Sequence, residues 1–85
     1  MIHARGPALD GLEALLSDLR ALPGLIEKTR GTFYRRSRAF LHFHEDPAGL
    51  FADIRAGDSD DFDRIDVTAA AGRAELLELA RRRLA

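Results

Sequence analysis

The stretch from Gly31 to Ala56 leaves this chain few folds to choose from. It holds four of the five Phe, the only Tyr and two of the three His. Aromatic content, alternation and turn chemistry together mark consecutive β-strands. Asp46-Pro47-Ala48-Gly49 is a turn: Pro presets φ, Asp bonds the backbone ahead of it, and Gly accepts positive φ. Before it, Ala39, Leu41 and Phe43 alternate with Phe40, His42 and His44; after it, Leu50, Ala52 and Ile54 alternate with Phe51, Asp53 and Arg55. A four-residue loop sets Glu45 opposite Leu50, and the pairs run back through His44–Phe51, Phe43–Ala52, His42–Asp53 and Leu41–Ile54. The core face is then Leu41, Phe43, Leu50, Ala52 and Ile54. The other face carries Phe40, His42, His44, Phe51, Asp53 and Arg55. A bulge at Gly49 would pair Asp46 with Leu50 and turn the histidines to the apolar side, because a one-residue slip inverts faces. The first register is preferred because it gathers the apolar residues on one side.

The flanks are helical. Residues 1–7 read as a loose lead-in, with His3 frayed. Residues 8–22 repeat leucine at helical spacing (Leu9, Leu12, Leu16, Leu19), and Pro23-Gly24 ends the run. A first strand is expected over Thr32–Arg36, with a tight turn at Ser37 and the second strand starting at Arg38. Phe62–Val67 alternates as a short fourth strand at an edge. Thr68 suits an N-cap for a last helix over Ala69–Leu84. Its core stripe is Ala70, Ala74, Leu77, Ala80 and Leu84, with Leu76 beside it, and Gly72 costs up to ~1 kcal/mol relative to Ala. The expected fold class is α+β: a two-layer sandwich of helix, three- or four-stranded antiparallel meander and helix, with both helices on one sheet face.

At 85 residues the chain reads as a single domain with a thin core, burying roughly 60–65% of its unfolded surface. It has no cysteine, so no disulfide, thiolate nucleophile or thiolate ligand. A net charge of −1 gives no bulk pull toward nucleic acid or membrane. No apolar run approaches a membrane span and no signal peptide is evident, so a bacterial cytoplasmic location is expected.

Three groups can carry chemistry. His42-x-His44 on a strand points two imidazoles the same way, and Asp53 across from His42 offers a third metal ligand or a partner for that ring. The plainer alternative is an ordinary sheet face with His42 paired to Asp53 and His44 against Phe51. Lys28, Arg30, Arg35, Arg36 and Arg38 form a basic segment interleaved with Phe33 and Tyr34, with no acid between residues 28 and 44. Such a hairpin can contact phosphates and stack on bases; the alternative is pairing with the chain's own acidic loop. That loop, Asp58-Ser59-Asp60-Asp61 with Asp63, lacks the glycine and terminal Glu of an EF-hand and reads as solvated. No nucleophile constellation or glycine-rich phosphate loop is present, no cofactor is expected, and an enzyme is the minority reading.

At LPG (residues 22–24), Glu27, Gly31 and Ala39-Phe40-Leu41-x-Phe43-x-Glu45-Asp46, the chain resembles the MmcQ/YjbR-like family. Those small bacterial proteins have an α+β fold similar to that of the frataxin homologue CyaY. The resemblance covers residues 20–56; the chain is shorter than the family and lacks its tryptophan-bearing region. It implies double-wing DNA binding, with the wing contacts at Arg35, Arg36 and Arg38. From the residues themselves, the expected function is binding or self-association through the open sheet face. Phe40 and Phe51 side by side on a polar face would form an apolar patch that a homodimer buries.

Overall fold

A computed structural model describes residues 2–85. The elements, in order, are β1 (Ile2–His3), α1 (Gly6–Asp10), α2 (Glu13–Arg20), β2 (Ile26–Thr29), β3 (Thr32–Arg35), β4 (Arg38–Asp46), β5 (Gly49–Arg55), β6 (Phe62–Asp66) and α3 (Ala70–Leu84). The fold is α+β, around one antiparallel sheet in the order β2-β3-β4-β5-β6, with β1 added on β4. The sheet therefore has six strands rather than three or four, and β2 and β1 are the additions. The β4–β5 register is the preferred one: Leu41↔Ile54, His42↔Asp53, Phe43↔Ala52, His44↔Phe51 and Glu45↔Leu50. Asp46↔Gly49 also pair, so the loop tightens to Pro47-Ala48. Asp46 Oδ1 accepts the Ala48 N–H at 2.9 Å, the side-chain turn bond expected of Asp at that position.

The leading segment is not loose. Met1 lies outside the described residues; Ile2 and His3 pair with Glu45 and His44. The reason is strand length. β3 covers β4 only as far as His42, leaving the N–H and C=O groups of residues 43–46 on that edge without a ladder. β1 fills it: Ala4 donates to the Phe43 carbonyl at 3.0 Å, and Arg5 grips Glu45 through both its backbone N–H and its guanidinium, each at 2.8 Å. The first helix also differs, breaking into α1 and α2 at Gly11-Leu12. Its leucines keep their roles, since Leu9, Leu12, Leu15, Leu16 and Leu19 are all buried.

Phe40 departs furthest from the alternation. Phe33 pairs with Leu41 and Tyr34 with Ala39, so β4 carries one extra residue between them. This β-bulge puts Phe40 and Leu41 on the same, inner side. Phe40 is 3% exposed and joins a core of Leu12, Leu16, Leu19, Phe33, Leu41, Phe43, Ile54 and Leu76. The expected exposed pair of Phe40 and Phe51 is corrected: only Phe51 stays half-open.

In α3 the buried residues are Leu76 and Ala80, with Leu77, Leu79 and Leu84 partly buried; Ala70 and Ala74 face solvent. The stripe is thus centred on Leu76. Thr68 does not cap α3: the N-cap is Ala69, and the Thr68 hydroxyl accepts the Leu50 N–H at 2.9 Å. Gly72 is where α3 crosses the end of β6, and a Cβ there would collide with the Asp66 carbonyl oxygen. Gly72→Ala should therefore destabilise by about 1–3 kcal/mol, against the helix-propensity gain of ~1 kcal/mol. Chemical denaturation decides between them: a variant more stable than the parent would show that α3 does not pack this closely.

Candidate metal centre

The sheet surface opposite the core is assembled by period two. His42 and His44 on β4, Phe51 and Asp53 on β5, and Phe62 and Arg64 on β6 share it. β1 adds His3, which pairs with His44. The three histidines therefore meet although residue 3 is far from 42 and 44 in the chain. Ring centroids lie 5.5 Å apart for His3–His42, 5.1 Å for His3–His44 and 4.7 Å for His42–His44. One nitrogen from each ring falls within 4.8 Å of the other two, the one such grouping of potential ligands among the described residues.

These nitrogens are poorly served by the protein. His42 Nδ1 and both nitrogens of His44 are buried and accept or donate no hydrogen bond. His44 Nε2 does lie 3.0 Å from Asp53 Oδ2, close enough for an ion pair but out of line for a hydrogen bond. Unpaired buried polar atoms are uncommon in native proteins and ask for a partner. Burial, and next the neighbouring His44, push the His42 pKa below its ordinary 6.5. Its neutral form, the one that ligates metal, is thereby favoured.

Asp53, 9% exposed, is held by Arg64, whose Nε and Nη2 donate to its two oxygens at 2.8 and 2.9 Å. The Arg64 guanidinium keeps the Asp53 carboxyl below the usual carboxylate range. Each oxygen accepts one bond from Arg64 and keeps a further lone pair, so Asp53 stands as an oriented anion beside the grouping of three histidine nitrogens. It faces His42 in register but leans toward His44, while His42 packs against Phe62 with centroids 5.4 Å apart. The anticipated cross-strand pairing of His42 with Asp53 is present, and the close side-chain approach of Asp53 is to His44. Arg55 lies over the Phe62 ring at 4.8 Å and bonds the Ala39 carbonyl, beside the cluster rather than in it.

His42 sets a pH dependence. A histidine whose folded pKa lies below the unfolded value contributes stability present above 6.5 and lost as the pH falls through its folded pKa. Thermal midpoints of the metal-free protein should fall from pH 7 toward pH 5, and less so in His42→Gln. Equal losses in the two proteins would refute the assignment of this acid sensitivity to His42.

The basic segment does not stay together. Arg30 is tied to Asp10 and Glu13 at 2.8 and 2.7 Å. Lys28 sits over the Tyr34 ring at 4.4 Å. Arg35, Arg36 and Arg38 gather at the far end of the β3–β4 hairpin, where Arg38 pairs with Asp60 of the acidic loop at 2.9 Å. Among the described residues, no helix is long and apolar enough to cross a membrane.

His3 escaped sequence reasoning because a histidine near a chain end carries no periodicity. Two signals pointed to it: β4 outruns its partner β3, and Arg5 and Glu45 have complementary charges. Compared with known proteins, the chain matches no family model, no curated protein and no solved structure.

Proposed function

We propose that this protein binds a divalent transition-metal ion of the zinc, cobalt and nickel class through His3, His42 and His44. The observation that carries this is the convergence of three imidazole nitrogens within 4.8 Å on the uncovered sheet surface. Imidazole is a preferred ligand of these metals, and the absence of thiolate disfavours cuprous ion and iron–sulfur clusters. Two nitrogens on one zinc lie about 3.4 Å apart at a tetrahedral site with Zn–N near 2.0–2.1 Å. Binding would draw the three histidine nitrogens closer together than the 4.8 Å within which they lie. Asp53, fixed by Arg64 with Oδ2 3.0 Å from His44 Nε2, places beside that ring the kind of carboxylate neighbour that could orient a metal-bound histidine on forming a hydrogen bond. Three protein ligands leave a coordination position for water or for a further ligand, as at open zinc sites.

Isothermal titration of the metal-free protein with zinc tests this, with cobalt as a spectroscopic substitute. One zinc per chain is expected, with the intense cobalt absorption of a low-coordinate site. Protein that takes up no zinc, or takes up several ions weakly, removes the proposal. Self-association through this surface is the second reading, favoured by Phe51, Phe62 and the 62%-exposed Ile26 on the same side of the sheet. Light scattering with and without zinc separates the two: a dimer that forms without metal and persists in the histidine variants favours self-association.

A further inference from the structure

The other end of the sheet holds a second concentration of chemistry, independent of the histidines. The β3–β4 turn runs through Arg36 and Ser37 at φ of 52° and 69°, and this left-handed pair reverses the chain within two residues. Arg35, Arg36 and Arg38 are thereby brought beside Arg55 at the end of β5. All four line one cavity of about 100 Å³, with Phe40 and Asp58 among the other lining residues.

The way these side chains are held matters more than their number. Arg35 Nη1 donates to the Arg83 carbonyl at 3.1 Å. Arg55 donates from Nε to the Ala39 carbonyl at 2.7 Å and from Nη1 to the Ser59 carbonyl at 2.9 Å. Arg38 Nη1 donates to the Asp58 carbonyl at 3.4 Å. Carbonyls fix a guanidinium without cancelling its charge. Arg36 makes no hydrogen bond or ion pair within the described residues. Two carboxylates oppose the four cations: Asp58 in the lining, and Asp60, which lies 2.9 Å from Arg38 and 3.4 Å from Arg55 but whose side chain is 96% exposed and screened by water. The site keeps a positive excess in a chain whose net charge is −1.

The geometry points to a binding site for a phosphate group at Arg35, Arg36, Arg38 and Arg55, of the size of inorganic phosphate or a terminal phosphomonoester. Guanidinium forks match the several acceptor oxygens of a tetrahedral oxyanion, and the carbonyl anchors lower the entropy lost on binding. The small volume, about 100 Å³, suits a compact group better than a polynucleotide strand. Lys28 and Arg30, which would extend a backbone track, are engaged elsewhere.

Titration with inorganic phosphate and with glycerol phosphate, at ionic strength held constant with sodium chloride and followed by amide chemical shifts, tests the site. Saturable shifts are expected at Arg36, Arg38, Arg55 and Gly57. Tighter binding of one probe identifies the source, free ion or ester. Arg36→Ala, which removes no bond within the protein, should weaken binding by about tenfold or more, and Asp58→Asn should tighten it. Shifts that fail to saturate, or an affinity unchanged in Arg36→Ala, overturn the site. Tighter binding of a single-stranded oligonucleotide lacking terminal phosphates overturns it in favour of a strand-binding surface.

Discussion

On the proposed metal site, His44→Ala should lower zinc affinity by more than the ~10–100-fold that loss of an outer partner costs, because it would remove a ligand outright. His44 is the member at stake for geometric reasons. It contacts both other rings, at 5.1 and 4.7 Å, and it is the one beside Asp53. Removing it leaves two imidazoles and no oriented carboxylate neighbour. The fold should tolerate the change. The ring makes no hydrogen bond, and Asp53 keeps its two bonds from Arg64. The thermal midpoint of the metal-free variant should stay near the parent's, while zinc-induced stabilisation, which follows RT ln(1 + [L]/Kd), disappears. Titration calorimetry and melting with and without zinc report the two effects separately. A variant that binds zinc as the parent does would place the ion elsewhere. On the same proposal, acid should weaken binding in the parent, because metal would compete with protons for the imidazoles.

Phe40→Ala costs about 3–5 kcal/mol of folding stability, as truncations of buried phenylalanines do. A chain of this size has little more than that to lose, since domains are stable by about 5–15 kcal/mol. The expectation rests on the bulge. Period-two alternation would point Phe40 outward with His42, and its loss would then be felt at an interface. With one extra residue in β4, the ring instead enters the core beside Leu41. Urea denaturation measures the cost, and light scattering measures assembly. A loss under about 1 kcal/mol together with a lowered molar mass would return Phe40 to the surface and restore a phenylalanine-centred dimer.

Much of the frame was written in local pattern. The alternation on either side of Asp46-Pro47-Ala48-Gly49 determined the β4–β5 register, and so put His42 and His44 on one face with Asp53 opposite His42. It did so because a turn of fixed length admits one set of neighbours, and because a slip would drive the apolar set into water. The leucines of residues 9–19 declared their burial by the same logic. The edge strand at 62–66 was legible from its alternation and charges.

What tertiary structure alone decided are the long-range pairings. β1 docks because β3 stops short of the end of β4, a mismatch between two elements rather than a pattern within one. That docking brings His3 to the other histidines and turns a two-residue motif into a three-residue cluster. The bulge at Phe40 satisfies the core at the expense of alternation, and Gly72 is required by a crossing of α3 over β6 rather than by anything within its helix. Local periodicity specifies which way a side chain points within its own strand. Which unpaired edge another segment will cover is settled by the need to satisfy backbone groups and close the core, and those demands exist only once the chain has folded.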